Sequence, residues 1–180
     1  MNDTPIGTQI QRATAAELPE IARLAGAIWR EYYPAIIPAA QIEYMLERMY
    51  ALPKLEAELR EQTIRFDRLL VAGHCRGFSA CGPTTDPRVY KLHKLYVDPA
   101  LHGAGYGSLL LSHCEQECCK LGATHLCLNV NKANERALRA YRRNGFVITD
   151  AVEVAIGGGF VMDDYVMTKV LTPPTPLTVQ

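Results

Sequence analysis

Between Leu92 and Leu111 the chain reads LHKLYVDPALHGAGYGSLLL, and this stretch constrains the fold more than any other. Leu92, Leu95, Tyr96 and Val97 form a β-favouring run. Asp98-Pro99 ends it, because proline lacks an N–H and restricts the residue before it. Gly103, Gly105 and Gly107 then lead into a pattern in which Tyr106, Leu110, Cys114, Cys118 and Leu121 recur at helical spacing. A strand, a glycine loop and a helix follow one another. Without Cβ atoms the loop can turn several backbone N–H groups outward at the helix start, where unpaired donors and the positive end of the dipole favour an anion. A phosphate or pyrophosphate suits such a place.

Two common phosphate loops do not fit. The Walker loop needs Lys and then Ser or Thr after its last glycine, and here Ser108-Leu109 follows Gly107. A dinucleotide fingerprint needs a third glycine where Ser108 stands. The order His102-Gly103-Ala104-Gly105-Tyr106-Gly107, preceded by Leu95-Tyr96-Val97-Asp98-Pro99, instead resembles the acyl-CoA pyrophosphate loop of the GNAT N-acetyltransferases. That family's pattern is Arg or Gln, two variable residues, Gly, one variable residue, then Gly or Ala. His102 replaces the usual Arg or Gln and is expected to tune affinity, since backbone donors do most of the cradling. A second resemblance to the same family lies downstream in Asn129 to Phe146, through Asn134, Ala137, Tyr141 and Gly145-Phe146. Asn134, Ala137 or Leu138, and Tyr141 share one helical face, so an amide and a phenol can point into a common cleft.

The chain has 180 residues, 48% of them hydrophobic, with 19 acidic and 19 basic side chains, which suggests one domain with a sizeable core. This charge balance favours neither a nucleic-acid binder nor a membrane-surface binder. No signal-like leader is read at the N-terminus, and no apolar run approaches the roughly 18 residues of a membrane span, so the cytoplasm is the expected compartment. Cysteines at 75, 81, 114, 118, 119 and 127 lack Cys-x-x-Cys or zinc-finger spacing and read mostly as buried reduced thiols, with no metal expected.

Around the central stretch the pattern predicts a first strand over Thr8 to Ala13 and a capping box at Thr14-Ala15-Ala16-Glu17. Helices follow from Ala15 to about Tyr32, from Pro38, and from Pro53 to Gln62. Strands are expected at Phe66 to Ala72 and Gly77 to Gly82, joined at Gly73 to Arg76, then at Val89 to Val97 and Thr124 to Val130. Strict alternation puts Lys91, His93, Leu95 and Val97 on one face of the Val89 to Val97 strand. A helix over Asn134 to Asn144 is followed by strands Phe146 to Ala155 and Phe160 to Val170 around Gly157 to Gly159. Residues 171–180 read as a loose tail.

The resemblance covers about residues 8 to 170 and implies the α/β (α+β) acyl-CoA acyltransferase fold, a mixed, mostly antiparallel sheet flanked by helices. The strand ending at Val97 and the one beginning near Thr124 should be parallel neighbours that splay apart to admit the pantetheine arm. Acetyl-CoA is the implied cosubstrate, held by Leu95, Tyr96, Val97, the loop His102 to Ser108, Asn129, Asn134 and Tyr141. The implied reaction is direct acetyl transfer to a primary amine, with Tyr141 protonating the departing thiolate and N–H groups near Val97 polarising the thioester. His93 is the candidate base, because an imidazole titrates near neutrality; Glu31 or a water chain are alternatives.

Acceptor identity is more open. Trp29, Glu31, Tyr32 and Tyr33, with Asp163 and Asp164, suggest a pocket for a small cationic, polyamine-like amine. A protein lysine or N-terminal amine, and a non-catalytic acyl-CoA-binding regulator, are the other readings. A homodimer paired through the last strand or the first helices is compatible with the pattern.

Overall fold

A computed structural model describes residues 7–172. Its elements, in chain order, are β1 (Thr8–Arg12), α1 (Leu18–Tyr32), α2 (Ala39–Tyr50), α3 (Leu52–Arg60), β2 (Arg65–Val71), β3 (His74–Pro83), β4 (Val89–Val97), α4 (Tyr106–Lys120), β5 (His125–Asn131), α5 (Glu135–Arg143), β6 (Val147–Gly157) and β7 (Phe160–Val170). The strands form one seven-stranded sheet in the order β1-β2-β3-β4-β5-β7-β6. Among the described residues only β4 and β5 run parallel; every other neighbouring pair is antiparallel. This is the mixed, mostly antiparallel sheet that the family resemblance implies.

The start of α1 shows how local chemistry sets an element. The Thr14 N–H donates to Glu17 Oε2 at 2.7 Å, and Thr14 Oγ1 accepts from the Ala16 N–H at 3.3 Å, so orphan donors of the first turn are satisfied. Leu18, Ile21, Ala25, Ile28 and Trp29 then recur on one face and are buried. They pack with Ile42 and Met45 of α2, Leu55 of α3, and Phe66 and Phe78 of the sheet. On the opposite face, Leu111, Cys114 and Cys118 of α4 and Leu138 of α5 pack on Leu92, Leu126, Leu128 and Met167. The sheet thus lies between two apolar layers, α1–α3 on one side and α4 and α5 on the other.

Two boundaries differ from the sequence reading. The β2–β3 turn is Ala72-Gly73, both in the left-handed region at φ 50° and 80°, so His74 and Cys75 already belong to β3. Gly73 alone signalled that turn, and the hydrophobic run had no mark at Ala72. The expected tail starts too early, since Leu171 is buried and its N–H donates to the Thr124 carbonyl at 2.8 Å. Residues 173–180 lie outside the described part of the chain.

Alternation along β4 also fails at one point. Ala80 of β3 is opposite Lys94 while Cys81 is opposite Leu92, which leaves His93 as an extra, bulged residue. Before the bulge Tyr90 and Leu92 face α4; after it Leu95 and Val97 do. Lys94 and Tyr96 face α1–α3, and alternation from Leu92 sets His93 beside Lys94 on that face. His93 therefore does not share a face with Leu95 and Val97. One inserted residue inverts the parity on which that expectation rested.

Glycine is required where backbones meet closely. A Cβ on Gly82 would lie 2.0 Å from the Thr63 carbonyl oxygen. Gly82→Ala is expected to lower the urea midpoint by an amount equivalent to about 1–3 kcal/mol of overpacking. An unchanged midpoint would show that the segment before β2 does not pack against β3 as described.

Candidate functional site

β4 and β5 pair over only Val89–Leu92 and His125–Leu128. Beyond that, β4 stays bonded to β3 as far as Val97, and β5 stays bonded to β7 as far as Asn131. The two strands splay while each is held from its outer side. A cleft of about 1140 Å³ runs through the gap, from the glycine loop at one end to α2, α3, β6 and β7 at the other.

At the loop end, Gly105 is the N-cap of α4 at φ 86°, and Gly103 is at φ 85°. These are conformations that L side chains resist, so glycine is needed there. No atom lies within 4 Å of where a Cβ would sit on Gly103, Gly105 or Gly107. The space outside this cradle is open, and the Leu109 N–H is bonded to the Gly105 carbonyl, leaving the earlier N–H groups of α4 without helical acceptors. Arg136 and Arg143 of α5 line the same end. The donor set fits a pyrophosphate, and neither arginine was singled out from the sequence because a basic helix face usually just meets solvent.

His102 lines the cleft beside the loop, with its ring tied back to the strand. Its Nε2 lies 2.9 Å from the Val97 carbonyl, which makes Nε2 the protonated nitrogen and ties the loop to the end of β4. Burial, and then Arg136, lower its pKa. Tyr32 stacks edge-on against it with ring centroids 5.8 Å apart.

Asn134 caps α5: its Oδ1 accepts from the Ala137 N–H at 3.1 Å and from the Tyr32 hydroxyl at 3.2 Å. Tyr141, two turns along α5, lines the cleft and packs against Phe146 at 5.7 Å. Burial, and then the neighbouring Cys114, push its phenol up, so it stays protonated and can donate. Leu95, Tyr96, Val97, Gly103, Gly105, Tyr106, Gly107, Ser108 and Asn129 also line this cleft; Ala104 does not.

The far end of the cleft, where the sequence suggests an acceptor pocket, is framed by aromatic rings. Trp29 stacks on Tyr33 at 4.4 Å, and both pack against Tyr96. Burial, then its tyrosine neighbours, hold the Tyr33 phenol well above its ordinary value. The acidic residues divide. Glu31 is exposed on α1 and outside the cleft, two residues past the inward-facing Trp29. Asp163 is exposed and paired with Lys132. Asp164 is only 5% exposed and lines the cleft, with Oδ1 lacking any partner. Burial raises its pKa against the pull of the Asn129 amide. Both aspartates lie within β7.

His93 differs in chemistry as well as in facing. Although open to the cleft, it is surrounded by protein, and burial, then Lys91 and Lys94, lower its pKa from 6.5 to about 4. It is thus uncharged near neutrality rather than titrating there. Sequence reasoning also missed the pair beside it. Lys94 of β4 is buried and lies 3.2 Å from Glu58 of α3, whose other oxygen is 3.4 Å from Lys54. No spacing signal links residues so far apart in the chain.

Residues 24–146 match the family model described as the acetyltransferase (GNAT) family. Over 86 residues the chain is 35% identical to an uncharacterized N-acetyltransferase of Mycobacterium tuberculosis, covering 48% of this chain and 54% of that protein. Over 74 residues it is 34% identical to the streptothricin acetyltransferase of Streptomyces lavendulae, covering 41% of this chain and 39% of that one. The chain thus spans about half the length, or less, of these curated relatives. Among solved structures, the PaiA N-acetyltransferase of Thermoplasma acidophilum in complex with coenzyme A matches with a TM-score of 0.79 at 24% identity, over 92% of this chain and 99% of that one. That likeness shows a shared fold.

His93 supplies a test of the acceptor-side electrostatics. Its pKa is lower folded than unfolded, so its contribution to stability is complete above about pH 6.5 and is lost as pH falls toward about 4. Solvent at the open edge screens part of it. Between pH 7 and pH 5 the wild-type melting temperature should fall further than that of His93→Gln. Equal falls would mean that the imidazole is not held uncharged.

Proposed function

Since the chain belongs to the GNAT acetyltransferase family, we propose that it transfers an acetyl group from acetyl-CoA to the primary amine of a small molecule by direct attack. The observation that carries this reading is the splayed β4–β5 gap, with an open glycine cradle at one end and, at the other, a buried carboxylate one of whose oxygens has no partner. N–H groups at the start of α4, with Arg136 and Arg143, would hold the pyrophosphate, and the free edge of β4 beyond Leu92 would pair with the pantetheine arm. When bound, acetyl-CoA supplies an activated thioester.

The chain's own residues then manage protons and position. Asp164 draws the amine to the gap. An alkylamine of pKa near 10.4 sheds its proton to water at a cost of about 4 to 5 kcal/mol at neutral pH, and uncharged His93 gives that proton a path outward. Glu31, outside the cleft, takes no part in this scheme. As the N–C bond forms and the C–S bond breaks, Tyr141 protonates the thiolate and is reprotonated from water. Backbone N–H groups near Val97 would polarise the carbonyl.

The polyamine-like acceptor expected from the sequence keeps only one of its three carboxylates, Asp164, at the cleft. A protein lysine is the second reading. Free-CoA release from acetyl-CoA across polyamines, amino acids, aminoglycosides and lysine peptides, with products confirmed by mass, tests the proposal. Tight acetyl-CoA binding without acetylated product on any of them would instead favour the CoA-binding regulator.

Two variants separate the roles. Tyr141→Phe should lower kcat about 10²-fold with the KM for acetyl-CoA nearly unchanged, because the phenol acts on the leaving group. Gly105→Ala, which forces a side chain into the left-handed region, should cost about 1–2 kcal/mol of stability and weaken acetyl-CoA binding. A Tyr141→Phe enzyme of full rate would remove the phenol from the mechanism.

A further inference from the structure

Resting on the acetyl-transfer reading, we propose that the acceptor carries a carboxylate besides its amine: Lys91 and Arg48 hold the anion while Asp164 receives the amine. The charges at this end of the cleft point to it. Arg48, Lys54, Lys91 and Lys94 line it, against only two carboxylates, Glu58 and Asp164. Glu58 is already shared between Lys54 at 3.4 Å and Lys94 at 3.2 Å. Lys91 and Arg48 make no ion pair among the described residues, and Arg48 is stacked over the Tyr44 ring at 5.3 Å. The neighbouring imidazole of His93 adds no positive charge near neutrality.

Asp164 supplies the second, independent half of the pattern. It lines the cleft and is 95% buried; its Oδ1, itself closed to solvent, has no hydrogen-bond partner, and the Lys91 charge acts on the group. A buried carboxylate oxygen without a donor is a costly arrangement unless a ligand completes it. An ammonium or amine N–H is the donor missing there. A polycation would satisfy Asp164 but bring further positive charge against Lys91 and Arg48, whereas an amine with a carboxylate satisfies both. The spacing of the two groups selects among such molecules, with amino acids the simplest class.

The test uses the full chain with acetyl-CoA and acceptors that share one amine: lysine, lysine amide, 1,5-diaminopentane, and a phosphonate analogue of the amino acid. The expected result is a kcat/KM for the carboxylate at least about tenfold above the amide and the diamine. Lys91→Gln, and separately the exposed Arg48→Gln, should bring that ratio toward one while leaving the KM for acetyl-CoA unchanged. A diamine used as well as the amino acid, or a ratio unmoved in both variants, overturns the proposal; a preference for the phosphonate replaces carboxylate by phosphate as the anion and overturns the carboxylate assignment. Acetyl-CoA binding without turnover on any amine counts against the transfer reading instead. The anion site is then decided by whether carboxylated amines, and not diamines, raise the unfolding temperature of the CoA-saturated protein.

Discussion

Everything at the site depends on two strands that separate while each remains hydrogen-bonded on its far side. β4 and β5 share four residue pairs, Val89 to Leu92 against His125 to Leu128, and then part at the bulged His93. The separation is not fraying, because β3 and β7 hold the two strands to Val97 and Asn131. Backbone donors and acceptors that face the gap are left without a ladder, and unpaired polar groups inside a protein carry a penalty of the order of a lost hydrogen bond. An extended, amide-bearing guest relieves that penalty as a strand would. The N-termini of α4 and α5 both open onto the same gap, so the anion cradle and the Asn134–Tyr141 face lie on it through chain geometry alone.

How much of this could be read from the residues depended on how local the signal was. Capping at Thr14, apolar spacing in α1 and α2, and the glycine-to-helix transition at Gly105 are local, and the elements formed where those signals stood. Parity across β4 was not legible, because nothing in LHKLYV marks His93 as the extra residue; the bulge exists only relative to Ala80 and Cys81 on β3. The same limit separates Asp163 from Asp164. Adjacent strand residues face opposite ways, and only the pairing of Asp164 with Asn131 decides which one meets the cleft. Glu31 failed for a helical reason: with Trp29 turned inward, a residue two positions on points roughly the opposite way.

Asn134 and the tyrosines show a site built from residues that also hold the fold. Asn134 caps α5 with the same oxygen that accepts from Tyr32, so the start of α5 and the end of α1 are tied across the cleft. Trp29 stacks on Tyr33 and both pack tilted against Tyr96; burial raises both phenols, with Tyr96 adding to the rise at Tyr33 and Tyr50 to the rise at Tyr96. They are donors at any physiological pH, and their flat faces fix the width of the slot. Substitutions here therefore alter shape and chemistry together, which is why a rate effect from Tyr141, anchored instead on α5, is the cleaner mechanistic readout.

The buried Lys94–Glu58 pair is the least expected feature and the one whose energetics argue most directly for function. Lys94 is 4% exposed, lies over the rings of Tyr50 and Phe66 at 5.6 and 5.5 Å, and has its pKa lowered by burial against the pull of Glu58. Taking both ions out of water costs about as much as their attraction returns, so a pair of apolar side chains would hold α3 to β4 at least as well. Stability alone does not account for charge at this position. What the pair does is fix a cation under the bulge, beside His93, and occupy Glu58, the one carboxylate of α3 that lines the cleft. With Glu58 shared between two lysines, Asp164 on β7 is the other carboxylate lining this end of the cleft, and under the proposed reading a positive amine would settle there.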